Sequence, residues 1–329
     1  MKKRYNAIDG LRTIACIGIV MMHIKANNKY EISGFIYNDL ISSFTNFVFL
    51  FMTVSAFGMC CGYYEKILAG KINLTDFYKK RYIKILPFFS FLILVDLIMG
   101  FSKESVYEAI ADVSLTFGLF PNDISVIGVG WFLGLIFVFY MIFPFFCVLI
   151  ETKARAWIMF AISLILNYVG STYFELSRKN IIYSMCFFFL GGLIYLYRDK
   201  LSEVKAYVIV PVLVASVIVY YLLDGNIYVC LLVSAIMLIF ALTKSGKIME
   251  NKVTKFISSI SMEIYLSHMV IFRAVEKLGL NNRFGNGVPQ YLITVVLVLG
   301  GTIIFSYIMS RVISITTKSI SNKIAERKI

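Results

Sequence analysis

Ile8-Asp9-Gly10-Leu11-Arg12-Thr13-Ile14-Ala15-Cys16-Ile17-Gly18-Ile19-Val20-Met21-Met22-His23 reads as a helix long and apolar enough to enter a bilayer, yet it carries an arginine and a histidine. Eleven residues separate Arg12 from His23. At 3.6 residues per turn that brings them within about 20° of one helix face, roughly 16 Å apart along the axis. Asp9 lies within reach of Arg12, and Cys16 shares the same face. An ionisable group in hydrocarbon is costly, so such a polar stripe marks a site unless it is merely satisfied. The competing reading is that Arg12 snorkels to the interface and His23 only bonds a neighbouring helix.

The rest of the chain places that helix in a membrane protein. Of 329 residues, 59% are hydrophobic and 16% charged, and the mean hydropathy is +0.81. Soluble domains are closer to a quarter charged. The net charge of +13 does not indicate nucleic acid, because Lys and Arg fall in short clusters between apolar runs, as topology signals do. No cleavable leader is expected: Arg12 and His23 interrupt the first apolar run and no small-residue cleavage site follows it. The six cysteines fall in apolar stretches without metal-ligand spacing and read as small reduced hydrophobes.

Ten stretches have the length and apolarity of spans: 8–27, 42–63, 85–101, 130–150, 156–173, 181–197, 206–223, 226–243, 257–275 and 290–314. The expected fold is therefore all-α, a polytopic membrane bundle of about ten transmembrane helices, forming a single domain over 1–329. The break between the seventh and eighth stretches rests on Asp224-Gly225-Asn226. With the N-terminus inside, the cytoplasmic segments hold 23 basic residues and the outer ones 8, an asymmetry that puts both termini in the cytoplasm. The longest outer segment, 102–129, carries Glu104, Glu108, Asp112 and Asp123 among apolar residues and is expected to form an interfacial or re-entrant helix.

The chain has one further histidine, His268, in Ser261-Met262-Glu263-Ile264-Tyr265-Leu266-Ser267-His268. Counted from Phe256 it sits about 18 Å deep, a depth similar to that of His23. Ser261, Tyr265 and His268 share a helix face. Two imidazoles at matching depth are expected to flank one buried cavity.

Several motifs now form an ordered set. Tyr5-Asn6-Ala7-Ile8-Asp9-Gly10-Leu11-Arg12 with His23 resembles the first helix of the acyltransferase-3 family, whose Arg, ten residues, His pattern falls on Arg12 and His23. Phe49-Leu50-Phe51-Met52-Thr53-Val54-Ser55-Ala56-Phe57 resembles its second helix, and Arg81-Tyr82-Ile83-Lys84-Ile85-Leu86-Pro87 the start of its third. Trp131-Phe132-Leu133 with Tyr140 and Pro144, and Ser261 with Ile264-Tyr265-Leu266 and His268, resemble later family motifs in the same order. There are departures. Lys84 stands where the family often has a second Arg, keeping charge but losing the bidentate fork. Ala56 replaces a usual Gly, Ile136 stands where one branch has Glu, and Glu263 where Ser is common.

The resemblance implies a bacterial cell-membrane enzyme that moves an acyl group, acetyl first, from acyl-CoA to a hydroxyl of a surface saccharide or lipid-linked glycan. Acetyl-CoA is then the donor substrate and no metal is needed. Arg81 and Lys84, with Lys79 and Lys80, suit the CoA phosphates, although positive-inside charge alone accounts for them equally well. His23 would be the general base. Arg12 would neutralise donor phosphate or hold the stripe in register with Asp9. His268, with Tyr265, would position the donor or stabilise oxyanion charge. An acyl-Cys16 intermediate competes with a packing role for that thiol. The alternative class is a permease that uses the same intramembrane His/Arg relay. Gly128-Val129-Gly130 is no dinucleotide loop, and neither a Gly-x-Ser-x-Gly elbow nor a His-Glu-x-x-His motif occurs.

Overall fold

The computed structural model describes residues 5–115, 117–119 and 128–326. Lys2, Lys3, Arg4, Arg327 and Lys328, counted among the 23 basic residues that orient the chain, and Asp123 of the 102–129 segment lie outside the described residues. Among the described residues the structure is helical and without strands. In order come α1 (Ile8–Asn27), α2 (Phe47–Met59), α3 (Glu65–Leu68), α4 (Leu74–Met99), α5 (Lys103–Ser114), α6 (Trp131–Leu149), α7 (Lys153–Tyr173), α8 (Ile181–Leu201), α9 (Ala206–Leu222), α10 (Ile227–Leu242), α11 (Lys252–Ser259), α12 (Ser261–Lys277) and α13 (Val288–Glu326). Short π-helical turns at Ile36–Ile41 and Cys60–Tyr64 extend α2 at both ends, so Ile36–Leu68 runs helical for 33 residues.

All ten apolar stretches fall on helices. Five helical segments are long and apolar enough by length and composition to cross a membrane: Ile36–Leu68, Trp131–Leu149, Lys153–Tyr173, Ile181–Leu201 and Val288–Thr317. Apolar α9 and α10 are shorter. The break between them is as expected: α9 stops at Leu222, Asp224 (φ 47°) and Gly225 (φ 76°) turn left-handed, and the Asn226 side chain caps α10 by accepting from the Tyr228 amide.

Two expected boundaries change. The third stretch is part of a longer helix: α4 starts at Leu74, where Asn73 accepts from the Thr75 amide, so the basic turns around Arg81 and Lys84 belong to the same helix as the apolar ones. The ninth stretch is two helices rather than one. The hydroxyls of Ser259 and Ser261 bond back to the carbonyls of Phe256 and Ser258, local bonds that compete with the ladder, and α11 ends at Ser259, with Ile260 between it and α12. In the 102–129 segment, the described part forms α5, opened by a Ser102–Ser105 capping box, with Tyr107 and Ile110 exposed.

The outer helices are patterned inside out. On α7 the buried positions are Ala156, Ser163, Asn167 and Gly170, whereas Trp157, Ile158, Ile162 and Ile165 are exposed. The Asn167 amide donates to the Tyr183 carbonyl of α8 at 2.7 Å. On α13 Gln290, Thr294, Thr302 and Ser306 are fully buried, while Leu292, Val296 and Ile304 face outward. Polar groups that hold helices together beneath an apolar exterior are what a lipid surround selects.

The bundle has two ends. At the end where α1 begins, the Asn6 amide bonds the Glu250 carboxylate, Tyr64 donates to the carbonyls of Ile150 and Glu151, and Tyr195 to Glu65. The Lys255 ammonium bonded to Glu250 also holds that carboxyl below its ordinary range. At the far end the Glu31 amide donates to the Asn286 carbonyl, Arg178 bonds Thr45, and Asn46 donates to the Tyr220 hydroxyl. α1 runs between these ends through the middle of the bundle, packed by α2, α10, α11, α12 and α13. Helices α2 and α8 approach closely because Gly191 has no side chain: a Cβ there would lie 2.3 Å from the Thr53 carbonyl oxygen.

Candidate active site

Three contacts spaced seven residues apart on α1 set its register against the C-terminal part of the chain. Asp9 accepts from the Ser258 hydroxyl at 2.7 Å, the Cys16 thiol points at the Ser261 carbonyl at 3.7 Å, and His23 meets His268. Thr13, on the same flank, bonds the Thr254 carbonyl at 3.1 Å. Gly10 and Gly18 let this helix sit tightly, against Met249 and against Phe44 and Phe47. Cys16 is 1% exposed and fills the α1–α12 contact.

The two histidines come together even though the ninth stretch is broken, but in direct contact with each other rather than on two sides of a cavity. His268 Nε2 lies 3.1 Å from His23 Nδ1, with ring centroids 4.9 Å apart. His268 is completely buried and His23 partly so. The tautomers are assigned from the surrounding partners. His268 Nδ1 is 2.7 Å from the Tyr265 carbonyl oxygen, which only accepts, so that nitrogen carries the proton. Neutral His268 therefore offers a lone pair at Nε2. His23 Nδ1 faces that lone pair and the Ile19 carbonyl at 3.1 Å, so it donates. The lone pair of His23 is thereby fixed on Nε2, the state a general base requires.

Beside this pair, towards the end where α1 begins, lies a cavity of about 110 Å³ lined by Arg12, Arg81, Lys84, Glu263 and Tyr265. Three helices supply them, α1, α4 and α12; α6 closes the wall through Phe132, Ile136 and Tyr140, and α2 and α11 add Ser55 and Ser258. Arg12 rests against Gly58, where an added Cβ would lie 3.4 Å from its Nη2. Arg81 donates to the Tyr63 hydroxyl at 2.5 Å and stacks on the rings of Tyr63, Phe77 and Tyr140 at 4.9, 5.7 and 5.5 Å. Lys84 and Glu263 also face a second opening between α4 and α13. Three cations against one carboxylate give the cavity a positive balance suited to an anion.

Tyr265 connects cavity and histidines. Its ring lines the cavity and lies 6.0 Å from the His268 ring, and its hydroxyl donates to the Val129 carbonyl at 2.8 Å. Its proton is thus committed to the chain. The structure therefore brings Arg12, Arg81, Lys84 and Tyr265 together in one cavity, and places His23 and His268 together next to it. Ile136, where a carboxylate was noted as absent, is part of the apolar wall.

Sequence reasoning missed Arg178. Counted as an outer topology charge, it instead folds inward from the α7–α8 connection. Its guanidinium stacks on Phe49 and Trp131 at 5.4 and 5.2 Å, donates to Thr45 Oγ1 and the Thr45 carbonyl, and has His23 and Tyr265 within electrostatic range. Nothing in Leu176-Ser177-Arg178-Lys179-Asn180 distinguishes it from a solvated loop charge.

A family model described as an acyltransferase domain matches residues 5–311, nearly the whole chain. No curated protein and no solved structure matches it.

Proposed function

The chain belongs to the acyltransferase-3 family, and from that premise we propose that it transfers an acetyl group from acetyl-CoA to a hydroxyl of a cell-surface saccharide or lipid-linked glycan. The observation that carries this reading is the cationic cavity of Arg12, Arg81 and Lys84 that leads, through Tyr265, to the His23–His268 pair. At about 110 Å³ the cavity suits the thioester end of the donor. The phosphates would stay at the lip, where Arg81 and Lys84 are joined by exposed Lys79 and Lys80.

In the proposed reaction the acceptor hydroxyl attacks the thioester carbonyl while His23 Nε2 takes its proton. The carbon–sulfur bond then breaks, and the same proton returns to the departing thiolate. His268 holds His23 in the required tautomer, much as a carboxylate orients the base in other dyads. Arg12 supplies positive charge near the donor. The basic asymmetry of the sequence supports both termini in the cytoplasm of a bacterial cell, and with it a donor arriving from the side where α1 begins.

The test is acetyl transfer by purified protein in nanodiscs, following free thiol with a panel of glycan acceptors. Acceptor-dependent thiol release is expected. Passage of an acceptor or proton across proteoliposomes with no thiol release would replace this reading with the permease one.

A further inference from the structure

A second cavity, of about 230 Å³, lies at the far end between the segment preceding α2 and helices α9 and α10. Its body is apolar, with Leu50, Leu213, Val217 and Met237 among its walls. Along α10 it extends from Cys230 to Met237, roughly 10 Å at 1.5 Å per residue. Its mouth is polar: Ser43 and the Tyr221 hydroxyl share a hydrogen bond of 2.8 Å, and Asn46 donates to the Tyr220 hydroxyl at 2.7 Å. Between Ser43 and Asn46 in sequence sits Thr45, which Arg178 grips twice, at 3.1 Å to its hydroxyl and 2.7 Å to its carbonyl.

Arg178 does not itself line the cavity but borders it through Thr45, which is flanked by the wall residues Phe44 and Asn46. Tyr220 and Cys230, both cavity walls, lie within its electrostatic range, as does His23. Its Nε is buried and has no hydrogen-bond partner, and no carboxylate among the described residues pairs with it. A partly buried guanidinium whose hydrogen bonds go to neutral oxygens keeps its charge uncompensated, and its remaining donors match a planar or tetrahedral oxyanion. An apolar slot with a polar mouth and an uncompensated cation beside it has the charge pattern of an amphiphile's complement.

We propose that this slot is the acceptor's site and binds a phosphate-bearing amphiphile, its hydrocarbon chain between α2, α9 and α10 and its phosphate on Arg178. The acceptor hydroxyl then reaches His23 from the side opposite the donor cavity. This last step rests on the acyltransferase reading; the binding site itself does not.

Trp131, stacked on Arg178, is the reporter, since the chain has only one other tryptophan, Trp157. In Trp157→Phe protein in phosphatidylcholine nanodiscs, dodecyl phosphate brominated beside the phosphate should quench Trp131 saturably. The matching brominated dodecanol should bind at least about tenfold more weakly, the scale of one charge-assisted contact. Arg178→Gln should erase that difference and Arg178→Lys should keep part of it. Val217→Phe, which narrows the slot and leaves the cation alone, should weaken both probes. Equal quenching by phosphate and alcohol in the parent, or an unchanged preference in Arg178→Gln, overturns the proposal. So does displacement of the probe by inorganic phosphate as effectively as by unbrominated dodecyl phosphate. If these results hold while no donor is consumed with any acceptor, the amphiphile site stands and the acetyl-transfer reading fails.

Discussion

His268 Nε2 lies 3.1 Å from His23 Nδ1, although 245 residues separate the two in the chain. Each ring is tied to its own helix by a backbone carbonyl, His268 to Tyr265 and His23 to Ile19. The pair is therefore held from both sides, and the Ile19 carbonyl and His268 Nε2 together keep the proton of His23 on Nδ1 and its lone pair on Nε2. Neither ring lines the cationic cavity, but His268 is completely buried whereas His23 is only partly so, and on the proposed reading His268 acts through His23.

Replacing His268 with Gln should lower turnover and leave the apparent affinity for acetyl-CoA near that of the parent, because the donor cavity keeps all its charges. The loss should be smaller than that of His23→Ala, since a positioning contact is removed and the base remains. Steady-state kcat and KM for the donor check this. A raised KM with unchanged kcat would instead make His268 part of the donor site.

Arg81→Lys should be worse for the donor than Lys84→Arg. Lys at 81 keeps a charge but loses the planar group that stacks on Tyr63, Phe77 and Tyr140, whereas Arg at 84 adds a fork. A rise in donor KM of roughly tenfold for Arg81→Lys is the scale of one lost charge-assisted contact. Neutralising both residues should weaken donor binding further while membrane insertion persists. Unchanged donor affinity in the double variant would leave these charges a topological role alone.

How much of this was legible in the sequence depended on which groups carry periodic information. The limits of α1, 8–27, follow from its apolar run, and the shared depth of His23 and His268 follows from counting helical rise. Arg81, Lys84, Arg12 and Tyr265 were read from motifs and share one cavity. The break at Ile260 was not legible, because it arises from serine hydroxyls choosing local carbonyls within an apolar stretch. Arg178 was hidden for a different reason. A loop arginine that folds inward has the same sequence as one that faces solvent, and only its stacking on Phe49 and Trp131 tells them apart.

Gly191→Ala should destabilise the bundle. The new methyl would meet the Thr53 carbonyl at 2.3 Å and the Ala56 Cβ at 2.8 Å, so α2 and α8 must part. Overpacking of this kind costs about 1–3 kcal/mol. Gly62→Ala, with nothing within 4 Å of the added atom, is the control. Thermal melting in detergent should show a lower midpoint for the first variant and no comparable fall for the second.

A topology reporter fused after Ile329 should be active in the form that reads a cytoplasmic location, as should one placed before Met1. The expectation rests on 23 basic residues on one side against 8 on the other. Activity of the C-terminal fusion only outside the cytoplasm would reverse or break the assignment, and with it the side from which the donor enters.

The central claim is that His23 is the base, and the most direct measurement is acetyl transfer against pH for the parent and His23→Ala in nanodiscs. Neutral His23 accepts the proton, so parent kcat/KM should fall on acidification as the imidazole becomes protonated. His23→Ala should lose about 10²–10⁴-fold in turnover with near-parent donor affinity, and its residual rate should lack that acid limb. Parent-level turnover by His23→Ala across roughly pH 5–8, the range in which an imidazole titrates, would contradict the account.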